Sequence, residues 1–283
     1  MTTTYTTLIS AEALLATMAS SNRLVVIDTG FDLADVGAGE RDWRTEHLPG
    51  SLYLHLDRDL SGAKTGTNGR HPLPERAAFA ATLGRCGITP TRQVVVLDRQ
   101  GGMYAARLWW MLRWMGHDAV AVLDGGLAAW TVAGGALDAA VPIDAAAPAY
   151  PERPPLAPMT SADTLAREIG RTRLIDARSA ERFRGDIEPL DAAAGHIPGA
   201  LNRFFKDNLD ARGRFKPATV LRAEFDALLG SAAPAAVVHQ CGSGVTACHN
   251  LLAMEHAGLA GSSLYPGSWS EWSANPRRAV ARG

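Results

Sequence analysis

Two stretches of this chain repeat one another, and the duplication constrains its fold more than any other feature of the sequence. Residues 94–130 align with residues 236–272 without a gap, at an offset of 142 residues. Turn glycines stay in step across the two stretches: Gly102 with Gly244, Gly116 with Gly258, and Gly125 with Gly267. Because glycines at matched spacings indicate turns of the same shape, we predict two homologous domains in tandem.

Each half of the chain alternates short apolar runs with helical segments. In the first half, the runs at 24–28, 94–97 and 119–123 predict buried strands, and residues 104–115 predict a helix between two of them. This order is typical of the α/β class. We therefore expect a mainly parallel sheet in each domain, with helices on both of its faces.

A segment rich in Ala and Pro separates the two halves. It covers residues 136–158, and its composition is typical of an extended, semi-rigid linker. We therefore expect an N-terminal domain at 1–140, a linker at 141–159 and a C-terminal domain at 160–283.

Three segments of the first half have weaker signals. Residues 7–20 predict a first helix with Ser10 as its N-cap. Residues 28–46 are polar and predict a loop. Residues 61–74, which are rich in Gly, Thr and Pro, predict an irregular surface loop.

One cysteine lies at the most informative point of the second half. The apolar run at 236–238 predicts a buried strand, and the glycines at 242 and 244 break it before a helical pattern resumes. Cys241 is thus expected at the carboxyl end of a strand and beside a helix N-terminus, where ligands bind in open α/β sheets. Helix-start amides, the helix dipole and the glycine turn can together form an anion-binding nest. We expect this thiol to ionise readily and to act as a nucleophile.

The repeat offset makes a further prediction about the first domain. At 142 residues, Cys241 corresponds to Arg99. The first domain therefore has no thiol where the second has one, and we expect it to be chemically inert.

The loop Cys241-Gly-Ser-Gly-Val-Thr-Ala247 resembles the active-site loop of the rhodanese superfamily, in the form that 3-mercaptopyruvate sulfurtransferases have. Thiosulfate-preferring members usually carry Arg and Lys in place of Gly242 and Ser243. The resemblance covers nearly the whole chain and implies two tandem rhodanese-like domains, with the cysteine in the C-terminal one. It implies a sulfurtransferase that takes a sulfane sulfur from a small anionic donor, holds it as a persulfide and passes it to a thiol or cyanide.

The same resemblance implies roles for residues around the cysteine. Arg182, in the segment Arg182-Phe-Arg-Gly185, matches the arginine that holds the donor's carboxylate or sulfonate, a task for which the planar guanidinium is suited. Ser243 and Thr246 supply hydroxyl groups to donor and persulfide. The remaining predicted site residues are the loop positions Gly242, Gly244 and Val245, and His47 as a possible cleft residue. Neither a cofactor nor a metal is implied.

Donor choice stays open at this stage. Mercaptopyruvate enzymes usually have a second arginine in a Glu-Pro-Arg-Asp segment, where this chain reads Glu188-Pro-Leu190-Asp. A thiosulfate-preferring enzyme is therefore an alternative. A second alternative is a non-catalytic module that binds partners and carries a vestigial cysteine.

Two other chemistries fit the sequence less well. His239, Cys241, Cys248 and His249 could suggest zinc, but their spacing is not one of the usual finger spacings. A cysteine phosphatase would need an arginine to clamp the phosphate at the position that Ala247 occupies. We expect Cys248 to be a buried structural thiol, with a redox partner as the alternative, and Cys86 to be either structural or simply exposed.

Composition and charge limit which classes of binding partner and which cellular compartment fit the chain. The formal net charge is −1 and the hydrophobic content 47%, which argues against a nucleic-acid-binding protein. No apolar run approaches the roughly 20 residues that a membrane helix needs, and no secretory signal is visible. Three cysteines do not form a disulfide framework. We expect a cytoplasmic protein, and the sequence does not indicate its oligomeric state.

Overall fold

The computed structural model of the chain describes residues 3–20, 23–142 and 148–283. The chain divides into two units. The first unit consists of Met1–Ser61, Pro74–Leu156 and Arg212–Arg214. The second consists of Gly62–Leu73, Ala157–Ala211 and Phe215–Gly283.

The first unit alternates strands and helices. In chain order its elements are β1 (Leu8–Ile9), α1 (Ala11–Ser20), β2 (Leu24–Asp28), α2 (Ala38–Thr45), β3 (Leu52–Tyr53), α3 (Arg76–Arg85), β4 (Gln93–Leu97), α4 (Ala105–Trp114), β5 (Val120–Leu123) and α5 (Gly126–Val132). All strand pairs are parallel, in the order β1-β5-β4-β2-β3. The central strands are β-branched runs that are buried along their length, as expected for a sheet covered by helices.

The second unit repeats the arrangement with fewer strands. Its elements are α6 (Ala162–Glu168), β6 (Arg173–Asp176), α7 (Ala180–Arg184), β7 (Leu201–Asn202), α8 (Ala218–Leu229), β8 (Val237–Gln240), α9 (Ala247–His256), β9 (Ser263–Leu264) and α10 (Ser268–Ser273). The sheet is again parallel, in the order β7-β6-β8-β9. Strand β8, which leads to Cys241, therefore lies inside the sheet and not at its edge. The predicted α/β class, with a parallel sheet flanked by helices in each half, is confirmed.

Two local predictions in the first half were wrong. The segment 7–20 is not one helix, because Leu8–Ile9 pairs with β5 as an edge strand and the helix begins at Ala11. Ser10 does accept the amide proton of Ala13, as an N-cap does. The polar segment 28–46 contains helix α2, whose buried Trp43 supplies the apolar contact that its otherwise charged sequence concealed.

The strand register shows a one-residue shift inside the repeat. Asp28 pairs with Leu97 in the first sheet, and Asp176 pairs with Gln240 in the second. The two aspartates correspond, because each ends its strand and accepts the amide of the residue two positions on. Strands β4 and β8 therefore end in step at Leu97 and Gln240.

This register corrects the predicted counterpart of the cysteine. Asp98, not Arg99, follows the first strand where Cys241 follows the second. The helices that come next begin at Ala105 and Ala247, so the first loop is one residue longer than the second. The ungapped alignment missed this because an apolar strand has the same composition in either register.

The segment Gly62–Leu73 groups with the second unit, although it interrupts the first in sequence. Of the predicted linker 141–159, residues 143–147 lie outside the described residues. Residues 148–156 group with the first unit, where Tyr150 is buried and bonds through its amide to Ala80. The domain boundaries at 140 and 160 stay a prediction.

Candidate active site

The loop 241–246 turns the chain sharply between β8 and α9. Gly244 has a φ of +76°, and a β-carbon there would lie 2.2 Å from the carbonyl oxygen of Pro266. Only glycine satisfies both conditions without strain. Cys241 is therefore held directly at the carboxyl end of β8, where the residue is 2% exposed.

Backbone contacts fix one side of this loop and leave its amides available on the other. The Cys241 amide donates to Ser268 Oγ at 3.1 Å, and the Cys241 carbonyl accepts the amide of Trp269 at 3.0 Å. Within the described part of the chain, the amides of Gly242, Ser243, Val245 and Thr246 have no hydrogen-bond acceptor. Amides of this kind at a helix start are donors for an anion.

The corresponding loop of the first unit shows what such amides can bind. The carboxylate of Asp98, which takes the place of Cys241, accepts four backbone N–H groups at 2.7–2.9 Å. The donors are Gln100, Gly102, Tyr104 and Ala105. This strand–loop–helix geometry therefore forms a nest of N–H groups around a negatively charged side chain at its first position.

Asp98 should for this reason be a strong contributor to stability. Replacing it with alanine leaves four buried donors without their charged acceptor, and we expect a loss of about 3 kcal/mol in the free energy of unfolding. Urea unfolding followed by tryptophan fluorescence measures it. The control is Asp118→Ala, because Asp118 is an exposed partner of Arg113 and should cost well below about 1 kcal/mol. Equal losses in the two variants would contradict this role for Asp98.

Two arginines of the second unit lie over the cysteine loop. A β-carbon at Gly242 would be 2.8 Å from Arg70 Nη2 and 3.5 Å from Arg182 Nη1. Arg182, which the sequence singled out as a donor-binding residue, lies on α7, whereas Arg70 comes from the irregular segment Gly62–Leu73. The missing side chain at Gly242 is what allows the two guanidinium groups to approach the loop so closely.

Buried carboxylates hold these arginines. Arg182 Nη2 donates to Glu188 at 2.7 Å and to Asp191 at 3.2 Å. Arg70 Nη1 donates to the other oxygen of Asp191. Burial raises the pKa of the Asp191 carboxyl, and the hydrogen bond from Arg70 opposes that shift. The arginine Nε of residue 182 has no partner among the described residues, so part of this guanidinium is unsatisfied.

A side-chain contact also links the loop to the irregular segment Gly62–Leu73. His71 Nδ1 and Ser243 Oγ are 2.8 Å apart, and both side chains are buried. Ser243, a predicted site residue, thus has a histidine partner that the sequence reasoning did not identify. A hydroxyl paired with an imidazole can donate, accept or relay a proton.

The other predicted site residues are placed less centrally. Thr246 is half-buried at the start of α9, but its hydroxyl does not cap the helix. Val245 contributes its backbone and a buried side chain. His47 belongs to the first unit, where it is completely buried, stacks on Trp43 and bonds through Nδ1 to the Trp43 carbonyl at 2.7 Å. These contacts are those of a structural histidine.

The remaining thiols and the zinc alternative can be assessed from burial. Cys248 is fully buried and donates to the Gly244 carbonyl at 3.3 Å, and Cys86 is also buried. Burial lowers the pKa of His239 to about 3, so this imidazole is neutral at ordinary pH. Among the described residues, no group of three His, Cys, Asp or Glu side chains could hold a metal ion.

Arg70 and His71 are the residues that sequence reasoning missed. They lie in a stretch predicted as an irregular surface loop. A long loop without secondary structure is more often functional than structural, and an adjacent arginine and histidine in it were the available signal.

No helix in the described ranges has both the length and the apolar character to cross a bilayer.

Known proteins share both the sequence and this architecture. The rhodanese-like domain family matches residues 10–133 and again residues 161–275. A probable 3-mercaptopyruvate sulfurtransferase of Pseudomonas aeruginosa is 44% identical over 284 residues, which cover 98% of each chain. A putative thiosulfate sulfurtransferase of Mycobacterium tuberculosis is 35% identical over 98% of this chain and 97% of its own. The solved 3-mercaptopyruvate sulfurtransferase of Leishmania major superposes with a TM-score of 0.84, at 28% identity over 94% of this chain and 74% of its own.

Proposed function

The chain belongs to the rhodanese family and is a sulfurtransferase, and we propose that it works through a persulfide on Cys241 with 3-mercaptopyruvate as its preferred donor. The observation that carries the proposal is the Asp98 nest. The same strand–loop–helix geometry surrounds a carboxylate in the first unit, and in the second a thiol lies at that position, next to the amides of Gly242, Ser243, Val245 and Thr246, which have no acceptor among the described residues. A thiolate or a persulfide anion is the charge such a nest would stabilise.

The first half-reaction transfers one sulfur atom. The Cys241 thiolate attacks the sulfur of 3-mercaptopyruvate, an S–S bond forms and the carbon–sulfur bond breaks. The electron pair of that bond leaves with the pyruvate enolate. The donor's thiol proton ends on the enolate carbon, so that the products are the Cys241 persulfide anion and pyruvate.

Four side chains have roles in this first half-reaction: Arg182, Arg70, Ser243 and His71. The two guanidinium groups beside Gly242 hold the donor's carboxylate, whose oxygens accept hydrogen bonds from them. Ser243 donates to the enolate oxygen as negative charge develops there. His71, 2.8 Å from the Ser243 hydroxyl, relays the proton that moves from sulfur to carbon.

The second half-reaction regenerates the enzyme. A thiolate or cyanide attacks the outer sulfur of the persulfide, the S–S bond breaks and its electron pair returns to Cys241. The products are a new persulfide or thiocyanate and the resting thiolate. Substrate and acceptor therefore react in turn, in a ping-pong scheme that uses no cofactor.

Thiosulfate is the second candidate donor. The putative thiosulfate sulfurtransferase of M. tuberculosis supports it, as does Leu190 in place of a second arginine. Arg70 weakens that argument, because it supplies a second guanidinium from another segment. With thiosulfate, the same thiolate would attack the outer sulfur and release sulfite.

A donor comparison tests the proposal. We expect kcat/KM with 3-mercaptopyruvate to exceed that with thiosulfate when both are measured with cyanide as acceptor. A clear preference for thiosulfate would support the second candidate.

All three cysteines are free thiols, which supports a reducing compartment such as the cytoplasm.

A further inference from the structure

The charges around the cysteine loop balance within one buried cluster. The arginines Arg70, Arg178 and Arg182 face the carboxylates Asp176, Glu188 and Asp191. The side chains of all three carboxylates are no more than 3% exposed. The cluster is therefore formally neutral before any donor arrives, although it contains the two arginines that approach Gly242.

The three carboxylates differ in which arginines they contact. Within the described ranges, Asp176 forms an ion pair with Arg178 alone, and Glu188 bridges Arg178 and Arg182. Asp191 bridges Arg70 and Arg182, the two guanidinium groups next to the loop. Of the three carboxylates, Asp191 is thus the one that contacts both guanidinium groups that are proposed to hold the donor.

We propose that Asp191 determines the charge class of the sulfur donor, favouring a monoanion over a dianion. The inference rests on the proposed function and extends it to the donor's charge. With an ionised Cys241, the site already carries one net negative charge. A donor with one carboxylate adds one more, whereas a sulfur oxyanion such as thiosulfate adds two.

Burial of the cluster increases the difference in electrostatic repulsion between a monoanionic and a dianionic donor. Charges inside a poorly solvated cluster interact through a low effective dielectric, so that each additional unit of donor charge is repelled by Asp191. Loss of the Asp191 charge should therefore favour the dianion more than the monoanion. Any loss of arginine positioning should instead weaken binding of the dianion at least as much as that of the monoanion, so only loss of the Asp191 charge raises the ratio of thiosulfate to 3-mercaptopyruvate activity.

The variant Asp191→Asn tests the proposal. We expect the ratio of kcat/KM for thiosulfate to that for 3-mercaptopyruvate to rise about tenfold, whatever happens to either value alone. Asp191→Glu keeps the charge and should leave the ratio at the wild-type value. The matched control is Asp186→Asn, because Asp186 lies on the same segment and pairs only with the exposed Arg184 among the described residues.

An unchanged ratio in Asp191→Asn, with both donors affected equally, would overturn the proposal. If that variant does not fold, Asp191→Ser provides a second neutral side chain. A binding experiment distinguishes failure of the Asp191 proposal from failure of the proposed sulfur-transfer function. If neither the wild type nor the variants transfer sulfur, calorimetry can still measure the affinities for pyruvate, a monoanion, and sulfate, a dianion. Asp191→Asn should then raise the affinity for sulfate relative to that for pyruvate, and an unchanged ratio of these affinities would reject the role of Asp191.

Discussion

The Cys241→Ser variant should lose sulfur transfer almost completely, with kcat/KM lowered at least about a thousandfold for either donor. A serine hydroxyl at this position is not ionised and does not form a persulfide, so the nest of amides has no anionic nucleophile to stabilise. Because the side chains are nearly the same size, the fold and the arginine cluster should be retained. Steady-state rates with cyanide as acceptor measure the loss.

Cys248→Ser is the matched control for this variant. Cys248 is buried and donates to the Gly244 carbonyl, a contact that a serine hydroxyl can also make. We expect this variant to keep most of its activity. Full activity in Cys241→Ser together with loss in Cys248→Ser would transfer the nucleophile to Cys248 and refute the proposed site.

Arg182→Gln should have the second largest effect. It removes one of the two guanidinium groups beside Gly242, whose Nη1 would lie 3.5 Å from a β-carbon at that glycine, whereas Glu188 keeps its contact with Arg178. We expect kcat/KM to fall roughly a hundredfold or more, because charge-assisted hydrogen bonds to the donor anion are lost. Most of the fall should appear as a higher KM for the donor, measured at saturating acceptor.

Two further variants separate donor binding from structure. Arg184→Gln lies on the same helix and removes an exposed ion pair with Asp186, so its kinetics should be close to wild type. Arg182→Lys keeps the charge without the planar fork and should recover only part of the activity. An unchanged donor KM in Arg182→Gln would show that this arginine does not hold the donor.

The sequence predicted the architecture well because the fold repeats itself. Buried β-branched runs followed by glycine turns are strong local signals, and the duplication doubled them. The two apolar strands could not, however, reveal their register. Asp98 was therefore recognised as the counterpart of Cys241 only when backbone pairing showed where each strand ends.

The residues of the candidate site that the sequence could single out are those that belong to short local motifs. Cys241, Ser243 and the loop glycines form one continuous motif, and Arg182 follows a motif of its own. Arg70 and His71 were missed because their position depends on a tertiary contact. The segment Gly62–Leu73, which carries them, groups with the second unit, although the rest of that unit begins only at Ala157.

The most direct measurement is the mass of the protein after exposure to donor without acceptor. Digestion and mass spectrometry under non-reducing conditions should find one additional sulfur atom on the peptide that contains Cys241. Addition of cyanide should remove that sulfur and release thiocyanate. A peptide that stays unmodified while donor is still consumed, or a sulfur found only on the peptides of Cys86 or Cys248, would contradict the Cys241 persulfide.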